Sequence, residues 1–287
     1  MLAISAATDW ASPAKANPLG LPVGIQLYTV RDVIGRNFDG TLRQLANIGY
    51  REVEMAGFYS KTPAEILRSM RSVGMKVISA HYSLDELREH LSERIAFAKE
   101  LDLQYMICPG VSLPHPPAHP SRRWSFTLDD WKWNAEQFNK IGAQTQKAGI
   151  QFGYHNHYHD FARTEGKIPY NQMLKWCDPR YVKFEIDVGW MVYSGFNPVH
   201  YMTRYPGRFP ELHIKGVKVG SKPFVSLRHG FPTAELGRDD KVNWKQVFAV
   251  ARTAGVKHYY LEQESFPDMP MWQALKVDYD YLHHLKV

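Results

Sequence analysis

Cysteine is nearly missing from this chain of 287 residues: Cys108 and Cys177 stand in separate segments, with no C-x-x-C spacing. Two thiols so placed exclude a disulfide framework and a structural zinc knuckle, and they do not fix the compartment. Long apolar runs are missing too. None approaches the roughly 20 residues that a helix needs to cross a bilayer, so no membrane partner is expected. Basic runs are equally scarce. The net charge is +6, but the 35 lysines and arginines are scattered among 29 acids, and the longest basic run is the pair Arg122-Arg123. This describes a mildly basic globular surface rather than a nucleic-acid-binding stripe. There is no tandem repeat, low-complexity tract or linker.

What is present suffices for one large core, since 44% of the residues are hydrophobic. The first twenty residues stand apart. Met1 to Ala7 is short and rich in small residues, and Ala14-Lys15-Ala16 resembles an A-x-A cleavage site, although a basic start and a full apolar stretch are missing. We read residues 1–20 as a truncated export signal or a loose tail, the first slightly preferred, and 21–287 as the folded domain. An exported protein is the expectation and a cytoplasmic one the alternative.

From Val23 onwards β-type runs alternate with helical patterns. The expected strands are Val23–Thr29, Tyr50–Met55, Lys76–His81, Tyr105–Pro109, Gln151–His157, Val182–Asp187, Glu211–Lys215 and His258–Glu262. Helix starts lie between them. Thr62-Pro63-Ala64-Glu65 and Ser83-Leu84-Asp85-Glu86 read as capping boxes, and Asn243 to Gln246 fits the same pattern. Gly49, Gly74, Gly149 and Gly255 fall where a helix ends before the next strand. Eight β-then-α units predict the α/β class and a single-domain (β/α)8 TIM barrel. The competing open doubly wound sheet usually carries a Gly-rich phosphate loop after its first strand, and none follows Thr29. Two units are long: one holds Gly110–Thr127, with His115, His119 and Trp124, and the other Gly216–Asp240. Such loops usually shape a substrate pocket.

Residues two apart on a strand share a face. Five expected strands end in such ionisable pairs: Glu52/Glu54, His155/His157, Glu185/Asp187, His213/Lys215 and Glu262/Glu264. Barrel active sites lie at those ends. Burying lone charges costs several kcal/mol or more each, so core filling explains the set poorly. A divalent cation on which carboxylates and neutral imidazoles converge explains it well.

Gly24–Asp32 (GIQLYTVRD), Ile48–Glu54 (IGYREVE), Gly149–His157 (GIQFGYHNH), Phe184–Trp190 (FEIDVGW), His213–Lys215 and Tyr260–Glu264 (YLEQE) resemble the sugar phosphate isomerase/epimerase family of the xylose isomerase-like barrel superfamily. The resemblance runs from about Val23 to Leu285 and is specific for fold more than for substrate. It implies one divalent metal ion held by an acid on strand five, an Asp on six, a His on seven and a Glu on eight. Asp187, His213 and Glu262 match the last three. On strand five His155 stands where many relatives have Glu, and Asp160-Phe161 stands where relatives often have Glu-Phe. His, Asp, His and Glu around a divalent ion sum to zero charge, a sharper Lewis acid that favours Mn, Fe, Co, Ni or Zn over Mg.

His157 then becomes a candidate general acid or base, with Glu54 competing as base. Lys215 could stabilise an enolate oxygen or hold a hydroxyl. His81, Glu185, Glu264 and Tyr28 are the remaining polar substrate contacts, and Trp190 is the best candidate to stack on a sugar face, ahead of Trp124, Trp131 and Trp133. The resulting expectation is enolisation of a keto or aldo sugar leading to isomerisation or epimerisation. The alternative is β-elimination from a 3-keto-glycoside at the same site. No phosphate-binding cluster is evident, with Arg31 and Arg228 the nearest cations. An endonuclease IV-like DNA repair enzyme would need three zinc ions and basic loops, and a non-catalytic binding barrel would not need the paired charges. The expected partner is a small sugar or glycoside, with a homo-oligomer possible.

Overall fold

The computed structural model describes residues 17–114, 126–223 and 230–287. The segment on which the export-signal reading rests, and Arg122-Arg123, His115, His119, Trp124 and Arg228, lie outside the described residues.

Helix starts form where side chains can satisfy the first backbone amides. Thr62 makes a complete capping box with Glu65 ahead of the helix Pro63–Ser72, and Pro63 opens it. Ser83 and Asn243 cap Leu84–Glu100 and Trp244–Ala254 by accepting from Glu86 N and Gln246 N. Thr127 and Asp130 form a further box ahead of Leu128–Lys147. Gly49, Gly74, Gly149 and Gly255 follow helix ends with positive φ, which a side chain would strain.

The helices bracket eight strands: β1 (Gly24–Gln26), β2 (Glu52–Met55), β3 (Lys76–His81), β4 (Tyr105–Cys108), β5 (Gln151–His155), β6 (Val182–Asp187), β7 (Glu211–Ile214) and β8 (His258–Leu261). Each pairs in parallel with the next, and β8 closes on β1. β3 and β6 have the expected bounds, and the other six are shorter than the apolar pattern suggests. The chain leaves the sheet after His155 because the Asn156 side chain accepts from Asp187 N and donates to Asp187 O, replacing ladder bonds. Glu52 opens β2 and therefore sits at the N-terminal end of the barrel, on His258 Nδ1 at 2.7 Å. It is far from the mouth to which the pairing rule assigned it.

Alternate strand residues face opposite ways. The outward set, with Val53, Phe152, Phe184, Leu212 and Tyr259 fully buried, packs on the helices as one continuous apolar layer. Inside the barrel the apolar part shrinks to a plug of Ile78, Tyr105, Ile107 and Tyr260. Gly153 lets the plug pack closely, since a Cβ there would come within 2.5 Å of Ile107 Cδ1 and push that methyl aside. Above the plug the lumen is polar.

Candidate metal centre

Register brings the lumen residues together. His155 pairs with Glu185 across β5–β6, and Asp187 with His213 across β6–β7. On the other side a register shift between Val53 and Glu54 sets Glu54 against Ser79 on β3.

Two carboxylates lie directly beneath the imidazoles. Glu54 is fully buried. Its Oε1 faces Gln26 Nε2 at 2.7 Å, His213 Nε2 at 2.6 Å and His81 Nε2 at 3.0 Å, while Oε2 accepts from Ser79 Oγ at 2.6 Å. Glu185 places Oε2 against His155 Nδ1 at 2.9 Å and against His81 and His213 Nε2 at 3.2 Å each. Burial opposes ionisation of Glu54, and the His81 and His213 imidazoles outweigh it, holding the carboxyl well below the usual range. Burial likewise disfavours a charged His81, but Glu54 and Glu185 raise its pKa to about 9.

Above them lie the four residues for which the resemblance implied a metal. His155, Asp187, His213 and Glu262 are all buried, and each offers one ligand atom within 4.8 Å of the others. His155 Nε2 is 3.8 Å from Asp187 Oδ2, and His213 Nδ1 is 3.1 Å from Glu262 Oε2. Both rings rest their other nitrogen on a carboxylate below, the arrangement that fixes tautomer and orientation in metal-ligating histidines. Asp187 is divided by the fold. Its Oδ1 caps the helix Val188–Tyr193 through Trp190 N at 2.8 Å, while its buried Oδ2 is left for the Lys215 ammonium at 2.9 Å and for the lumen. A buried carboxylate oxygen turned toward two imidazoles and a second carboxylate, with the Lys215 ammonium 2.9 Å away on its other side, fits a divalent cation. Two deeper groups, His81/His155/Glu185/His213 and Glu54/Glu185/Glu211, are equally compact. The first has its donors already paired with one another, and the second lies further from the mouth.

Of the four candidate ligands, His155 and Glu262 line a cavity of about 390 Å³. Tyr28 and Trp190 give it aromatic walls, and His81, His155, His157, Glu262 and Glu264 polar ones. A larger hollow of about 740 Å³ opens at the opposite end of the barrel beside Lys183 and Lys257, but among the described residues no group of three or more acids and imidazoles converges there. His157 presents a buried Nδ1 with no hydrogen-bond partner. Burial, assisted by His159 and Lys215, pushes its pKa well below the usual value, which favours the neutral ring. The turn that carries it is fixed by Asp160, which accepts from His157 N at 3.0 Å and from the Tyr154 hydroxyl.

Several expectations change place. Glu54 was a candidate base and Glu185 a substrate contact, yet both lie under the imidazoles with their oxygens committed or enclosed. Neither lines the cavity described above. Lys215 is 1% exposed and does not line the cavity. Arg31 donates to the carbonyls of Tyr28 at 3.0 Å and Glu264 at 2.8 Å and stacks over Tyr28, tying β1 to β8 instead of standing ready for a phosphate. Trp131 is buried in the outer layer, and Trp133 packs partly against it. Sequence reasoning missed Gln26 and Ser79, whose alternation with apolar neighbours was the available signal. It also missed Phe231, which meets Trp190 edge-on at 4.5 Å from a loop without periodicity.

With fold and site described, the comparisons with known proteins can be placed. The family described as "Xylose isomerase-like TIM barrel" matches residues 42–277. The chain belongs to this family. Among curated relatives, the inosose dehydratase of Lacticaseibacillus casei is 24% identical, over 83% of this chain and 87% of its own. Among solved structures, a sugar phosphate isomerase/epimerase from Parabacteroides distasonis ATCC 8503 superposes with a TM-score of 0.75 at 25% identity, covering 96% of this chain and 97% of that one. The IOLI protein, solved with a zinc atom, shares the fold at a TM-score of 0.70 and 9% identity, covering 92% and 98%.

Proposed function

We propose that the protein is a divalent-metal-dependent lyase that eliminates water or an alcohol from an uncharged keto sugar or keto polyol. The observation that carries the reading is the convergence of His155, Asp187, His213 and Glu262 beneath a cavity walled by His157 and Trp190. Those four residues would hold the ion, Mn, Fe, Co, Ni or Zn in preference to Mg, and when bound it would act as a Lewis acid on the substrate carbonyl.

This chain's own residues supply the rest. Neutral His157 takes the proton from the carbon next to the carbonyl; that C–H pair becomes the new double bond, and the β C–O bond breaks. The departing oxygen needs a proton, and the imidazolium just formed at His157 can return it. Trp190 offers a hydrophobic face for the C–H side of the ring, and Glu264 and His81 are polar groups within reach of hydroxyls. Among the described residues lining the cavity there is no Arg or Lys, which favours a neutral substrate over a phosphorylated one.

Relatives named as dehydratases support elimination over the isomerisation first expected. Enolisation followed by reprotonation, giving an isomerase or epimerase, remains the second reading because it needs the same residues and because the Parabacteroides structure carries that name. One experiment separates them. Purified protein loaded with Mn2+ or Zn2+ is incubated with an inosose and with 3-keto-glucosides in deuterated water. Elimination gives an absorbing enone and released water or alcohol. Deuterium incorporated at the α-carbon, with neither enone nor leaving group released, would replace it by the isomerase reading. Activity that survives complete chelation would remove the metal from both.

A further inference from the structure

The ammonium of Lys215 stands 2.9 Å from Asp187 Oδ2 and 2.7 Å from Glu262 Oε2, the two carboxylate oxygens that face the candidate metal position. It also donates to Glu264 Oε1 at 2.7 Å. The rings of Trp190 and Phe231 flank it, each centroid 5.1 Å away. Gly189 is shaped to the stem, for a Cβ there would come within 2.7 Å of Lys215 Cβ and 2.8 Å of its Cγ. A buried lysine held by an aromatic slot, a glycine and a third carboxylate is built into its place and is kept from the cavity.

We infer that Lys215 is a resident counter-cation for the metal centre, which keeps Asp187 and Glu262 together without the ion and weakens the ion's binding. The inference rests on the metal reading above and goes beyond it, because it assigns Lys215 to the metal equilibrium and not to the substrate. Two carboxylates side by side in a buried mouth repel each other unless a positive charge lies between them. The ammonium supplies that charge. Being fixed, it then opposes a second cation on the same oxygens, so the four donors bind the ion less tightly than they would alone. Glu264 moderates the effect by drawing the ammonium's hydrogen bond, and part of its charge, to the far side.

The test is calorimetric titration of the metal-stripped full chain with Zn2+ and, separately, Mn2+. Lys215→Met is expected to tighten both by about tenfold or more, as removal of a full charge so close to the ion requires. Glu264→Gln is expected to act in the opposite direction, weakening both by roughly threefold or more, and it stays informative if Lys215→Met does not fold. Lys215→Arg, which keeps the charge, should stay near wild type. Thermal unfolding gives a second readout: metal-free Lys215→Met should melt below metal-free wild type and gain more on loading. Unchanged or weaker binding in Lys215→Met, or unchanged or tighter binding in Glu264→Gln, would overturn the inference while leaving the metal centre standing. A wild-type chain that takes up neither ion would overturn the metal reading itself, and this inference with it.

Discussion

Phe184 and Glu185 are neighbours on β6 and meet two different environments. Phe184 points outward into a layer of Tyr154, Tyr170 and Phe209, where the ring contacts are edge-on at 5.6–6.4 Å. Glu185 points into the lumen, where one oxygen serves three imidazoles within 3.2 Å. The outer layer gains from area and shape, to which many apolar residues contribute alike. In the lumen each atom has a particular partner, and a group left without one carries its full desolvation cost. The outer layer therefore specifies that a barrel forms, and the lumen specifies what the barrel can bind.

Substitutions on the two sides should separate stability from metal binding. The largest effect is expected for Asp187→Asn, which removes the charge of the carboxylate that faces the candidate metal position. Turnover should fall by about 10³-fold, and metal content from near one per chain to near none, while the fold persists; elemental analysis and far-UV dichroism check both. Phe184→Ala should do the reverse. Urea unfolding should show a loss of about 3–5 kcal/mol, with metal stoichiometry intact wherever the variant is folded. If it lost metal in its folded state, the division between layer and lumen would be wrong.

Glu54→Gln tests the floor of the lumen. Its new NH2 would have to face a donor among Gln26, Ser79, His81 and His213, so the His213 ring would lose its anchor. Metal affinity should drop about 10- to 100-fold in chelator competition, with a smaller change in unfolding free energy. Lumen pairing should also appear in the pH dependence of the metal-free protein. His81 has its pKa raised in the folded state to about 9. Its contribution is thus fully present below the unfolded value near 6.5 and is lost as pH rises through about 9. Unfolding curves of wild type should show that loss across the window, and those of His81→Asn should not. The smallest effect is expected outside both regions: Thr62→Ala at the capping box should cost about 1 kcal/mol in denaturant unfolding and nothing in metal affinity.

Much of this arrangement was legible along the chain. The eight alternations of β and α patterns and the helix caps gave the barrel, since those signals come from neighbours in sequence. Ionisable residues two apart marked the strands that carry the site. The same rule misplaced Glu52, because alternation records the face of a strand and not the depth along it. It could not rank Glu54 and Glu185 below His155 and His213 either. Depth depends on the register between strands, and the register shift at Val53/Glu54 has no local signature.

By itself the sequence determined the number of repeating units, the faces of each strand and a pool of acids and imidazoles too polar to be core. Tertiary structure alone decided which nitrogen of each imidazole meets a carboxylate, which oxygen of Asp187 faces the lumen, and that Lys215 is enclosed between Trp190 and Phe231. Those outcomes depend on contacts between residues tens to more than a hundred positions apart, from Lys215 with Glu264 to Glu54 with His213. Periodicity reports only on neighbours, so such pairings are fixed by barrel closure and packing.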